Sequence, residues 1–191
     1  MITRAKSSLK GVLDYREIRL ELFGTRVWDY VNLAQAVTEE RSYVTYDNID
    51  GLLLGFNLAG EWRYININAA YTWAKNTTDN TPMAEIAPFS LITTVNSPEF
   101  NNAHAYIRHT YNDAQTRVAE IPDEWSTPSY HKVDFGLSYA YKSLRLSVDI
   151  ENLNNSQYYQ HLSYLRNPFS SGTHIYEPGR SLRLNLFYNS N

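Results

Sequence analysis

The chain has 191 residues, a formal net charge of -3 and 43% hydrophobic residues, which suits one domain or part of a larger one. With no basic run it carries no nucleic-acid footprint, and zero Cys excludes disulfide scaffolds, thiolate metal sites and cysteine nucleophiles. No apolar run approaches the ~18 residues of a membrane helix, and the polar, basic stretch from Met1 to Lys10 has no apolar segment of the signal-peptide kind.

Helical periodicity is nearly absent. The best helix candidate, residues 33–40, is short and uncapped at its far end. Strand signals instead recur about every twenty residues. Residues 9–15 form a weak first strand. Residues 18–31 follow, with Ile18, Leu20 and Leu22 opposed to Arg19 and Glu21, and end at Trp28 and Tyr30. A loop over 32–42 leads to a strand at 43–58, which places Leu52, Leu54, Phe56 and Leu58 on one face. A short turn at 59–61 precedes a strand at 63–73, where Ile65, Ile67, Ala69, Tyr71 and Trp73 alternate with Tyr64, Asn66, Asn68, Ala70 and Thr72. The breaker-rich run Asn76-Thr77-Thr78-Asp79-Asn80-Thr81-Pro82 marks a second loop over 74–87. Shorter strands at 89–95 and 103–111 flank a turn, and an acidic loop with Glu120, Asp123 and Glu124 spans 112–128. Strands at 130–141 and 144–153 enclose the tight turn Lys142-Ser143. The longest loop covers 154–177, and a strand at 180–188 closes the chain.

The expected fold is all-β, an antiparallel up-and-down meander of about nine strands forming part of a transmembrane β-barrel. Turns on one side are short and loops on the other long, an asymmetry such barrels share. A two-residue loop at Lys142-Ser143 pairs Tyr141 with Leu144, Tyr139 with Leu146, Leu137 with Val148 and Phe135 with Ile150. The same register sets Ser138 against Ser147, Gly136 against Asp149 and Asp134 against Glu151, so the two faces agree without a slip. A soluble barrel would turn the apolar face inward and a membrane barrel outward. Three features favour the membrane: small and charged residues share the polar face, aromatics gather at strand ends, and the apolar stretches match the ~9–11 residues of a tilted spanning strand. Sixteen Tyr and four Trp also suit a barrel with aromatic rims.

The last third carries a family pattern. Tyr130-His131-Lys132-Val133-Asp134-Phe135-Gly136-Leu137-Ser138-Tyr139 is followed by Val148-Asp149-Ile150-Glu151-Asn152-Leu153-Asn154-Asn155, by Tyr158-Tyr159-Gln160-His161-Leu162, and by Glu177-Pro178-Gly179-Arg180-Ser181. Together these segments resemble the C-terminal barrel portion of TonB-dependent outer-membrane receptors. Trp28-Asp29-Tyr30-Val31, Tyr46-Asp47-Asn48-Ile49 and Gly55-Phe56 fit the same resemblance. The resemblance implies a bacterial outer-membrane location and a plugged barrel of roughly 22 strands, importing iron-siderophore, other metal chelates or similar scarce nutrients. The implied partners are outer-membrane lipid, the remaining strands and plug of a full receptor or a partner chain, and the TonB complex through that plug. No plug or energy-coupling box is expected within these residues, and the ending Tyr188-Asn189-Ser190-Asn191 departs from the family's aromatic finish. No cofactor and no enzymatic chemistry is expected. A transport-inactive structural or binding barrel module, and a soluble lipocalin-like ligand binder, are the alternatives.

Asp134 and Glu151 should face each other on the polar side, where two carboxylates need a cation, and Arg183 on the closing strand shares that face. The expectation is a structural charge cluster in the barrel wall; the alternative is a site on a translocation path. In the longest loop, Tyr158, Tyr159 and Tyr164 with Arg166 offer a ligand-contact surface, against the commoner reading of loop-on-loop packing. His161 and His174 are either ordinary polar loop residues, the commoner case, or contacts to a bound metal chelate. His104 and His109 differ in parity and so point to opposite faces. No metal site and no serine–histidine pairing is forced by the pattern.

Overall fold

The computed structural model describes residues 5–38, 41–120, 124–163 and 175–189. Among them every regular element is a strand: β1 (Ala5–Tyr15), β2 (Ile18–Val37), β3 (Ser42–Trp62), β4 (Ile65–Asn76), β5 (Thr81–Pro82), β6 (Ser90–Asn96), β7 (Ala103–Asn112), β8 (Tyr130–Tyr141), β9 (Leu144–Glu151) and β10 (Ser181–Tyr188). All pairs are antiparallel in one sheet, ordered β1-β2-β3-β4-β6-β7-β8-β9-β10, with β5 paired to β4 off that path. The sheet is open: β1 and β10 each lack a neighbour on one side among the described residues.

Several boundaries move, among them the start of β1 at Ala5 rather than 9 and the end of β4 at Asn76 rather than 73. The helix candidate at 33–40 is strand, because β2 continues to Val37 with Leu33 opposite Tyr46 and Ala36 opposite Tyr43. Pairing with β3 satisfies the backbone there, so the expected loop shrinks to a tip where Thr38 N–H bonds the Arg41 carbonyl at 2.8 Å. The turn expected at 59–61 lies at 63–64, since β3 runs on to Trp62, opposite Ile65. Parity explains this shift: Trp62 continues the side-chain row of Leu54, Phe56 and Leu58. β9 stops at Glu151, not 153, because Asn152 takes φ 54° and turns the chain.

The Lys142-Ser143 hairpin forms with the expected pairs from Tyr141–Leu144 to Phe135–Ile150. Lys142 takes φ 52°, as a two-residue hairpin loop demands. The apolar row continues onto β10, where Leu186 meets Leu146, Leu184 meets Val148 and Leu182 meets Ile150. Across the sheet this row collects Leu13, Leu22, Leu54, Phe56, Ile65, Ile107, Leu137, Leu146 and Leu184 on a single face. Much of that face is bare: Leu13 is 62% exposed, Leu22 54% and Leu184 64%. A water-soluble sheet could not leave so large an apolar area uncovered.

The opposite face is polar, and the small hydrophobic core lies on it, at the end of the long loops. Ile49, Ala74 and Met83 are buried together, with Leu53 and Ile86 packed on them. Met83 reaches this core because Gly51 has no side chain: a Cβ there would stand 3.0 Å from the Met83 sulfur. The segment after β5 is thereby folded down over the polar face. No helix of the described residues is long and apolar enough to cross a membrane.

Candidate functional site

The polar face carries an ordered set of charges. Lys10 Nζ lies 2.7 Å from Glu21, Arg19 3.9 Å from Asp14, and Tyr106 donates its hydroxyl to Asp149 at 3.0 Å. A recess of about 300 Å³ opens between Arg19, Glu21, Asn57, Asn68, Ser90 and Ile92, with the short side chains of Ala59 and Ala70 in its lining. Gly136 makes room for the Tyr106 ring, since a Cβ there would clash with it.

The expected trio of Asp134, Glu151 and Arg183 is divided. Arg183 pairs with Glu151 at 3.1 Å. The cation on Asp134 is Lys132, at 3.2 Å, two residues earlier on its own strand and thus on the same face. Register is the reason: Arg183 stands opposite Asp149, while the chain bends at Asn152 and turns that residue's N–H onto Asp134 Oδ1 at 2.9 Å. Asp134 is buried at 4% exposure and Asn152 at 2%.

Asn152 organises the exit from β9. Its carboxamide accepts from Ser156 N–H at 2.8 Å and donates to the Ser156 carbonyl at 2.9 Å and the Pro178 carbonyl at 3.5 Å. Asn154 accepts from Val133 N–H at 3.0 Å, Ser156 Oγ donates to the His131 carbonyl at 2.6 Å, and Asn155 accepts from Arg180 N–H at 3.1 Å. The stretch from Asn152 to Ser156 is therefore a side-chain clasp joining β8, β9 and the entry to β10.

The described flanks of the longest loop, residues 157–163 and 175–177, pack near this clasp. Tyr158 stacks on Tyr130 at 4.2 Å between centroids, and Tyr159 lies 5.7 Å from Tyr176. Burial, and then the nearby Glu177 carboxylate, push the Tyr158 hydroxyl above its ordinary pKa. Tyr158 and His161 are buried against protein, whereas Tyr159 is half-buried. Tyr164, Arg166 and His174 lie outside the described residues.

One node was not foreseen. Glu124, with its side chain 1% exposed, accepts from Glu85 N–H at 2.7 Å and from Ala119 N–H at 2.9 Å, and pairs with His161 Nε2 at 3.3 Å. His161 Nδ1 lies 3.3 Å from Thr127 Oγ1. Three loops meet at this carboxylate. The row of hydroxyl, imidazole and carboxylate is sealed from solvent and saturated by backbone amides, so it binds the loops together. Gln115 adds a bond to the Ile86 carbonyl at 2.7 Å, and Arg117 one to the Ala74 carbonyl at 3.0 Å while stacking on Trp73. Glu124 was visible in the sequence only as one acid in an acidic loop, since nothing local marks which acid will be enclosed. Among the described residues no three His, Asp or Glu side chains converge as metal ligands.

A model of the TonB-dependent receptor-like β-barrel family matches residues 8–153. No curated protein sequence matches the chain. Among solved structures, the chain superposes on the copper transporter OprC with a TM-score of 0.77 and 18% identity, over 96% of this chain and 30% of that one. The ferric yersiniabactin uptake receptor FyuA from Yersinia pestis gives a TM-score of 0.68 at 15% identity, over 96% and 29% of the two chains. The siderophore receptor PirA from Acinetobacter baumannii gives 0.62 at 15% identity, over 96% and 31%. The chain thus spans about 30% of the length of the solved proteins it matches, and at these identities the likeness is one of fold.

Proposed function

The chain belongs to the TonB-dependent receptor β-barrel family, and we propose that it forms part of the wall of an outer-membrane receptor importing a scarce nutrient, an iron-siderophore or another metal chelate. The observation that carries this reading is the two-faced sheet: bare leucines on one side, paired charges and the loop cap on the other. A lipocalin-like binder needs the reverse, apolar side chains inside and polar ones in water.

Strand count supports a larger assembly. Nine strands lie on the pairing path, so β1 and β10 run in the same direction. Closing the sheet with antiparallel pairs alone requires an odd number of further strands, and a barrel of roughly 22 would supply about 13. Those strands and a plug are the partners we propose, the plug being the route to the TonB complex, with outer-membrane lipid against the apolar face. Import of this kind is conformational and calls for no catalysis. Of the wall charges, Glu151 and Arg183 face that plug while Asp134 is buried and anchors the wall beneath them, and Tyr159 belongs to the cargo-facing loop surface.

Deleting the gene that encodes the chain, and growing the cells on a panel of ferric and copper chelates as limiting metal source, tests the proposal. Growth should fail on at least one chelate and return with the gene, and the protein should fractionate with the outer membrane. Unaltered growth on every chelate, or recovery of the protein in the soluble fraction, would overturn it.

A further inference from the structure

On the apolar face, near the long-loop end, two histidines come together. His109 on β7 and His131 on β8 have ring centroids 5.9 Å apart, both side chains exposed. The register explains it: His109 stands opposite Val133 and Tyr111 opposite His131, so the two imidazoles are diagonal neighbours on one face. Parity considered within β7 alone points His109 away from His104 and gives it no partner; the partner comes from the next strand. His131 is fixed from behind, its carbonyl held by Ser156 Oγ at 2.6 Å and Asn154 Nδ2 at 3.3 Å. Neither imidazole has a hydrogen-bond partner among the described residues.

We propose that His109 and His131 form a surface site for a divalent transition-metal ion at the outer rim of the barrel. Two imidazole nitrogens bound to one ion at ~2.0–2.1 Å place their ring centroids about 4.5–6 Å apart, so the observed separation needs only small side-chain rotations. Imidazole suits Cu²⁺, Ni²⁺ and Zn²⁺ over the hard cations Mg²⁺ and Ca²⁺. The level is wet enough for the remaining positions to be filled by water: His131 lies eight residues above Tyr139 on β8, which at ~3.3 Å per residue and a tilt of ~40° is roughly 20 Å up the wall, close to the upper edge of the apolar band. The site does not depend on the cargo or on import, since it lies on the face opposite the lumen.

The test is titration of the protein with Cu²⁺, isolated in detergent in its barrel assembly without a polyhistidine tag, read by calorimetry and by electron paramagnetic resonance. The expected result is one Cu²⁺ bound with a two-nitrogen signature. Both His109→Ala and His131→Ala should weaken it by at least about tenfold through loss of chelation, while His104→Ala, on the other face, leaves it intact. Thr93 stands directly opposite His109 on β6, so Thr93→His added to His131→Ala should rebuild a cross-strand pair and restore binding. Equal affinity in wild type and both single variants, or a loss confined to one of them, would overturn the site.

Discussion

Asn152 carries two separable duties, a left-handed backbone and a carboxamide bonded to Ser156 and the Pro178 carbonyl. Asn152→Gly keeps the first and loses the second; Asn152→Ala loses both. Leaving the Ser156 N–H and carbonyl unpaired costs about 2–4 kcal/mol, and an alanine at positive φ adds about 1 kcal/mol. Urea unfolding of the detergent-solubilised barrel should therefore rank wild type above glycine above alanine; equal midpoints for the two variants would remove the backbone duty. Gly136 and Tyr106 form a second such pair, as the ring occupies the space of the missing side chain and sends its hydroxyl to Asp149. Gly136→Ala should cost about 1–3 kcal/mol by overpacking, and less when Tyr106→Ala is also present, because the clash goes with the ring. Independent additivity of the two changes would show that they do not touch. Tyr158 supplies a pH dependence: with its folded pKa raised, its contribution to stability is complete below the ordinary tyrosine pKa of about 10 and is lost as pH climbs through the folded value. Tyr158→Phe should flatten the alkaline fall in melting temperature; an unchanged alkaline limb would place that fall elsewhere.

At the scale of elements, the loops behave as one body because Glu124 binds a backbone amide from each of two segments and the imidazole of a third. Glu124→Ala strands two buried N–H groups and His161, a local loss of about 3–5 kcal/mol. Hydrogen exchange should then rise together at 84–87, 115–120 and 158–163, while the β7–β8 and β8–β9 ladders stay protected. Loss of protection in one loop alone would refute the shared node. None of this was legible beforehand. The strands and faces were, because a side-chain period of two is a local property: the Lys142-Ser143 register follows from the alternation of Tyr139, Leu146 and their neighbours. The node depends on residues 37 and 39 positions apart in sequence meeting after the loops fold, and no periodicity encodes that. The division of Asp134 from Arg183 is hidden for a related reason: parity places both on the polar face but does not set their level, and Arg183 stands opposite Asp149 while Lys132 and the Asn152 N–H take up Asp134. The strand at 33–37 was missed because a few mixed residues fit either period, and only pairing with β3 decides.

The whole molecule is defined by its two free edges. Among the described residues every internal strand of the path has both neighbours, yet β1 and β10 each present a row of N–H and carbonyl groups with no strand beside it. In hydrocarbon each such group costs several kcal/mol, far more than any single side-chain contact described above can return. The apolar face makes matters harsher in water, where Leu13, Leu22, Leu182 and Leu184 would stand bare. Neither solvent suits the open sheet, and in the proposed barrel its stability comes from strands that pair with both edges at once. Self-pairing of β10 with β1 of the same chain is disfavoured because the two run parallel. A second copy does not help either: two such sheets closing into 18 strands meet at two seams, which are antiparallel only if the copies run in opposite senses, and that would put long loops on both sides of the membrane. The expected outcome is that the chain produced alone in detergent micelles gives a ladder of aggregates, whereas co-production with the complementary strands gives one compact, sodium dodecyl sulfate-resistant species whose mobility changes on heating. Replacing Ile150 or Leu182, which pair four residues above Tyr139, by Arg should abolish that species, at about 2–4 kcal/mol for a charge facing mid-bilayer. Arg at Ser147 or Asn185, on the polar face, should leave it intact. A heat-modifiable monomer from the chain alone would show that the edges close on each other after all, and that the parallel seam is tolerated.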